Sequence, residues 1–174
     1  MSAFRFTIDV PIRSEWSNID LLFTSVKACF AAMMMDVDGC ETVATVAGEL
    51  LENAVKYGDW SGSNRTFRFH VFGEGRRASI AVENPVSDPE HALSAIEEVL
   101  GWIASFPSAA SAFQARLVEV ADAEAGESSR LGLARIAHQS NCRLRAERIG
   151  DAIRVVADVS LSEGDASPSG VTAP

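Results

Sequence analysis

Gly48-Glu49-Leu50-Leu51-Glu52-Asn53-Ala54-Val55-Lys56-Tyr57-Gly58 is the stretch on which the reading of this chain turns. Its apolar residues recur at helical spacing, so it predicts an amphipathic helix. On a helical projection with Glu49 at the origin, Asn53 falls at about +40° and Lys56 at about −20°. Thr45 and Glu52 flank them, while Val43, Ala47, Leu50, Leu51, Ala54 and Val55 take the other side. A carboxylate, a carboxamide and an ammonium group therefore share one stripe. Upstream, Asp38-Gly39-Cys40-Glu41 has the form of a capping box. The helix is expected from about Gly39 to Lys56 or Tyr57, with Gly58 at its C′ position.

That stripe has two readings. As a plain solvated face it needs no function, because any amphipathic surface helix shows one. As a site, its groups suit a nucleotide with a divalent cation. An Asn oxygen can coordinate Mg²⁺, which prefers hard oxygen ligands and keeps several waters. A carboxylate can orient or deprotonate a hydroxyl, and an ammonium group can meet phosphate charge.

Working outward, Phe4, Phe6, Ile8 and Val10 alternate with polar residues and predict a strand, which Pro11 ends or places at an edge. Ser17 to Met35 reads as a helix whose run of three methionines is core filler or an adaptable groove. Thr66 to Phe72 and Ala78 to Val82 predict a hairpin about Gly73-Glu-Gly-Arg-Arg77. Residues 86–127 form an insertion of two helices, from about Pro89 to Ser105 and Ala109 to Ala125, broken at Pro107 and Ser108. A helix from Leu131 to about Gln139 precedes two strands, Leu144 to Arg148 and Ala152 to Val159. Short turns between consecutive strands imply mainly antiparallel pairing. The expected fold is a two-layer α/β sandwich, with a mixed, mainly antiparallel sheet covered by helices on one face. One domain is expected over 1–161, with 162–174 as a disordered tail of small residues.

Composition narrows the classes. The chain has 174 residues, 47% of them hydrophobic, and a formal charge of −9. That length buries a sizeable core without staples, and that acidity argues against general nucleic-acid binding. The longest apolar run, Ala28 to Met35, is far short of the roughly 20 residues that span a bilayer, and the start lacks a signal-peptide core. A cytoplasmic protein with no membrane partner is expected. The three cysteines form no Cys-x-x-Cys and read as reduced, packed thiols. The three histidines lie in different elements and make no metal motif. The chain has no phosphate-binding Gly-x-x-x-x-Gly-Lys-Ser/Thr loop, no Gly-x-Gly-x-x-Gly after the first strand, and no Gly-x-Ser-x-Gly turn.

Glu49-x-x-x-Asn53-Ala-x-Lys56-Tyr57 resembles the N-box of the GHKL (Bergerat-fold) ATP-binding superfamily. Ser129-Arg-Leu-Gly-Leu-Ala-Arg-Ile-Ala-His138 resembles its second glycine box, and the hairpin from Leu144 to Val159 resembles the strands that close that domain. Ala78-Ser-Ile-Ala-Val-Glu-Asn84 stands where the family carries its adenine-binding Asp-x-Gly-x-Gly. Together these cover roughly residues 4 to 160. The resemblance implies a histidine-kinase-like ATPase fold that binds ATP with Mg²⁺.

The departures are specific. Val82-Glu-Asn-Pro-Val86 has neither glycine of the first box, and Pro85 stiffens the turn. Glu83 or Asn84 could offer an oxygen to the adenine amine. Arg130 replaces the first glycine of the second box, leaving Gly132 alone; Arg130 could contact phosphate or fill the site. The two-helix insert and the Pro-containing box are most similar to the SiaB-type regulatory kinases, within the anti-sigma-factor-like serine/threonine kinases. What that resemblance implies is phosphorylation of a small regulatory protein, STAS-like or similar, in a bacterial signalling switch, with a homodimer among the allowed assemblies. In it Glu49 is the candidate general base and Asn53 the Mg²⁺ ligand. Lys56, Arg130 and Gly132 are the candidates near phosphate. The alternative is a degenerate, non-catalytic member of the superfamily that works by binding a protein partner.

Overall fold

The computed structural model describes residues 3–11, 17–32, 37–61, 66–75, 77–122, 131–140 and 142–160. In chain order the elements are β1 (Phe4–Pro11), α1 (Ser17–Ala32), α2 (Val37–Tyr57), β2 (Thr66–Glu74) and β3 (Arg77–Pro85), then α3 (Pro89–Ala104), α4 (Ala109–Asp122), α5 (Leu131–Ser140), β4 (Arg143–Ile149) and β5 (Ala152–Ser160). The strands form one five-stranded sheet in the order β1-β2-β3-β5-β4. Every neighbouring pair is antiparallel, so the sheet is antiparallel throughout rather than mixed.

Helix count explains the topology. Two helices, α1 and α2, return the chain to the end at which β1 finished, so β2 pairs antiparallel beside it. Three helices, α3 to α5, deliver the chain to the opposite end, so β4 runs in the direction of β3. The tight hairpin into β5 then fills the gap between β3 and β4 antiparallel to both. Gly75 and Gly150, at φ 58° and 64°, take the left-handed backbone that the two hairpin turns require.

Strand alternation sorts the residues into two faces. One face is Phe67, Phe69 and Val71 of β2, Ala78, Ile80 and Val82 of β3, and Ala157 and Val159 of β5, all buried. Val26 and Phe30 of α1 and Val43, Val46, Ala47, Leu50 and Leu51 of α2 pack on that face in one cluster, joined by Ile136 of α5. Phe6 of β1 meets Phe30 edge-on at 5.4 Å. The result is an α/β protein of two layers. No described helix is long and apolar enough to cross a membrane.

Three boundaries differ from expectation. Helix α2 begins at Val37, so Asp38 stands inside it and not at its N-cap. Gly58 ends α2 without a left-handed backbone. A side chain there would strike the Trp60 ring and the Ala54 carbonyl, and Trp60 Nε1 donates to Val55 O at 3.0 Å. Strand β3 runs on to Pro85 because β5 pairs with it as far as Pro85↔Ala152. The insert helices appear as α3 and α4, with Asp88 Oδ1 accepting from His91 N at 3.0 Å to cap α3. The methionine run and the segment 162–174 lie outside the described residues.

Candidate functional site

A cavity of about 340 Å³ opens between α2, β3, β5 and the insert helix α3. That volume is within the roughly 300–1,000 Å³ typical of small-molecule sites. Its walls are mostly apolar, from Leu50, Val82, Val86, Ile96, Val99 and Val155. Two carboxamides punctuate them, Asn53 of α2 and Asn84 of β3. Backbone bonds tie the end of β3 to the end of α2 and to the turn before β5. Asp59 N, just past α2, donates to Pro85 O at 2.7 Å, and Val86 N donates to Asp151 O at 3.2 Å.

Glu49 and Asn53 sit one turn apart on α2, and Gly132 of α5 lies against both. A methyl group on Gly132 would come 3.0 Å from Glu49 Oε2 and 3.3 Å from Asn53 Nδ2. Only a glycine lets α5 approach so closely without pushing these groups aside. Asn53 Nδ2 is buried with no hydrogen-bond partner among the described residues. Such an atom costs about 1–3 kcal/mol unless a ligand or water meets it.

Glu83 and Asn84, adjacent in sequence, part company. Asn84 faces the cavity, level with Ile153 of β5. Glu83 points to the opposite face of the sheet, which carries no described helix, where Arg154 Nε donates to it at 2.7 Å and Arg68 Nη1 lies at 3.5 Å. The hydrogen bond to Glu83 holds the Arg154 guanidinium above its usual pKa. Asn84 alone of the two is placed to touch a ligand in the cavity. Lys56 stays outside, exposed, with its ammonium 5.3 Å from the Tyr57 ring centroid. Arg130 lies outside the described residues.

One residue of the cluster was not singled out from sequence. Arg135 of α5 forms an ion pair with Glu49 through Nη2 and Oε1. It stands three residues after Gly132, so both face α2 from the same side of α5. That spacing was the available signal. Among the described residues no cluster of three His, Cys, Asp or Glu side chains could hold a metal by itself. Cys142 is no ligand either: burial pushes its thiol up to about 11, and it donates to Ile136 O at 3.5 Å.

No protein-family model matches the chain, and no curated protein matches its sequence.

Proposed function

We propose that the cavity takes an adenine nucleotide, and that the protein is a stand-alone bacterial regulatory kinase. It transfers the γ-phosphate of ATP to Ser or Thr of a small, STAS-like regulatory protein in the cytoplasm. The observation that supports this best is the meeting of Glu49, Asn53 and Gly132, from two distant motifs, beside a cavity that also holds Asn84. The apolar walls suit a flat base, and the Asn84 carboxamide offers both a donor and an acceptor to its edge. The start of α5 presents backbone N–H groups and a positive helix end to phosphate.

Asn53 fits a cation site. Its buried amide has an unmet atom, and rotating the amide exchanges Nδ2 for Oδ1 at that position. Mg²⁺ held there with phosphate oxygens would neutralise phosphate charge. Glu49 accepts the proton of the incoming hydroxyl. The hydroxyl oxygen bonds to the γ-phosphorus, the bond from that phosphorus to its bridging oxygen breaks, and ADP departs. The test is calorimetric titration of the full chain with ATP, with and without Mg²⁺. Saturable, Mg²⁺-dependent binding is expected, and a flat titration to millimolar ATP overturns the reading.

A second reading, a non-catalytic domain that regulates a partner by binding it, is favoured by the ion pair that occupies Glu49. Transfer of label from γ-labelled ATP to the trapped partner separates the two. If the wild-type chain binds the partner and ATP yet moves no label, the second reading stands.

A further inference from the structure

The group that meets Glu49 is itself unusual. Arg135 reaches from solvent, with its side chain 40% exposed, to a carboxylate whose residue is 9% exposed. Its Nε is buried without a partner among the described residues. A guanidinium is a fork of N–H donors matched to an oxyanion, and one of its donors goes to Glu49. Beside it the Asn53 Nδ2 lacks an acceptor as well. Two cationic or polar side chains thus hold unused donors around Gly132, at the start of a helix of 10 residues. The ligand that matches this donor set has several acceptor oxygens and negative charge.

We infer that Arg135 is the phosphate-sensing residue of the site, and that it exchanges the Glu49 carboxylate for the terminal phosphate of the nucleotide. The inference rests on the nucleotide reading above and assigns a residue which that reading did not use. Without phosphate, Arg135 engages Glu49 Oε1 and holds the carboxylate against α5 as half of an ion pair. With phosphate, the guanidinium turns to the oxyanion, a charge-assisted contact of the strong kind. Glu49 is then released beside the reacting group. The ion pair thereby couples readiness of the base to occupancy of the phosphate position. It also protects the nucleotide-free protein from carrying an unpaired buried carboxylate, which is costly.

Arg116 resembles Arg135 in having a buried, unpartnered Nε, but its ion pair with Glu119 lies within α4 and it stacks 5.6 Å from Trp102. It lines a separate small cavity of about 60 Å³ with Glu98, Val99 and Trp102, away from Glu49, Asn53 and Gly132.

The experiment compares ATP with adenosine, which shares the base and sugar but has no phosphate. Both are titrated calorimetrically, with Mg²⁺, into the wild-type full chain, Arg135→Gln, Arg135→Lys and the double variant Glu49→Gln/Arg135→Gln. Arg135→Gln is expected to lose about tenfold or more in ATP affinity while adenosine changes by less than about twofold. Arg135→Lys, which keeps the charge without the fork, should recover part of the loss. The double variant removes both charges, so it remains folded if the single variant does not, and it must show the same selective loss. Equal losses for ATP and adenosine would assign Arg135 a structural role and overturn the inference. Unchanged or tighter ATP binding in Arg135→Gln would make Arg135 only a counter-ion of Glu49, which also overturns it while leaving the nucleotide reading intact. If the wild-type chain binds neither compound, the nucleotide reading fails and this inference falls with it.

Discussion

The two faces of the sheet are built from the same five strands and do opposite things with charge. The covered face is hydrocarbon except at one end, where Asn84 enters the cavity and Arg148 of β4, level with it, pairs with Glu90 of α3 at 3.1 Å. The open face carries a row that crosses every strand: Asp9, Arg68, Glu83, Arg154 and Glu147, in register from β1 to β4. The signs alternate along it. Arg68 bridges Asp9 at 3.1 Å and Glu83 at 3.5 Å, and Arg154 bridges Glu83 and, at 2.9 Å, Glu147. Cross-strand pairs of this kind are worth roughly 0.2–1 kcal/mol each, and less where solvent screens them. The lesson is that adjacent residues on β3 belong to separate systems. Glu83 is a structural charge in a network, whereas Asn84 is a polar group held among apolar walls.

The largest break in this comparison comes from the core. Phe69 is fully buried on the covered face, and His70, its neighbour, faces out and bonds Thr7 Oγ1 at 3.1 Å. Phe69→Ala is expected to cost about 3–5 kcal/mol, and His70→Ala within about 0.5 kcal/mol. Chemical denaturation of both variants checks this. Similar losses would mean that the outer face is also covered in solution.

Next in size is Glu83→Gln, which leaves Arg68 and Arg154 facing a neutral amide. Glu83 is 3% exposed but its partners are partly in solvent, so the expected cost is about 1–3 kcal/mol, below that of a fully buried pair. Its ATP affinity should not change. Asn84→Ala should do the reverse on affinity, lowering it about tenfold by removing the base contact. A Glu83→Gln protein that is stable yet cannot bind ATP would reverse the assignment of the two residues.

Much of this division was legible in the sequence, and the failures have physical causes. Period-two alternation in β1 placed Phe4, Phe6 and Ile8 against the core directly, and β2 and β5 were legible as strands. The separation of Glu83 from Asn84 follows from the same alternation, because Ile80, Val82 and Asn84 share parity. The local pattern ends the strand at Val82, and its extension to Pro85 depends on pairing with β5, a distant segment of the chain. The charged row was illegible for the same reason, since register across β3 and β5 is a tertiary fact. At the site, Glu49, Asn53 and Gly132 were legible as motif residues. Arg135 was not, because its pairing with Glu49 needs α5 packed against α2, a tertiary contact that the sequence of one helix does not show.

Asn53 sharpens the comparison through a smaller and oppositely signed effect. Its Nδ2 is buried and unpartnered on the covered face, so it detracts from stability unless a ligand is bound. Asn53→Leu is expected to leave the melting temperature unchanged or raise stability by up to about 1 kcal/mol. The same change should weaken Mg²⁺-ATP binding by about tenfold or more. Paired thermal melts and calorimetry read both quantities on one sample. A clear loss of stability would show that the amide is satisfied within the folded chain, and would remove the reason to place a ligand beside it.

The smallest effect belongs to Cys142, just before β4, where the covered face meets the end of α5. Burial raises its thiol from the ordinary 9.0 to about 11. In the folded chain the proton is kept over a range where an unfolded chain has lost it. Unfolding in that range releases a proton, so rising pH favours the unfolded state. The contribution is therefore complete below pH 9.0 and is lost as pH climbs through about 11. Lysine and tyrosine titrate in the same window, so the quantity to measure is the difference between wild type and Cys142→Ala. Denaturant midpoints taken from pH 8 to pH 11 should fall more steeply for the wild type above about pH 9. Parallel curves would mean that the thiol is as well solvated in the folded chain as in the unfolded one. The junction of α5 with β4 would then be open to water, and the covered face would end short of the helix that carries Gly132 and Arg135.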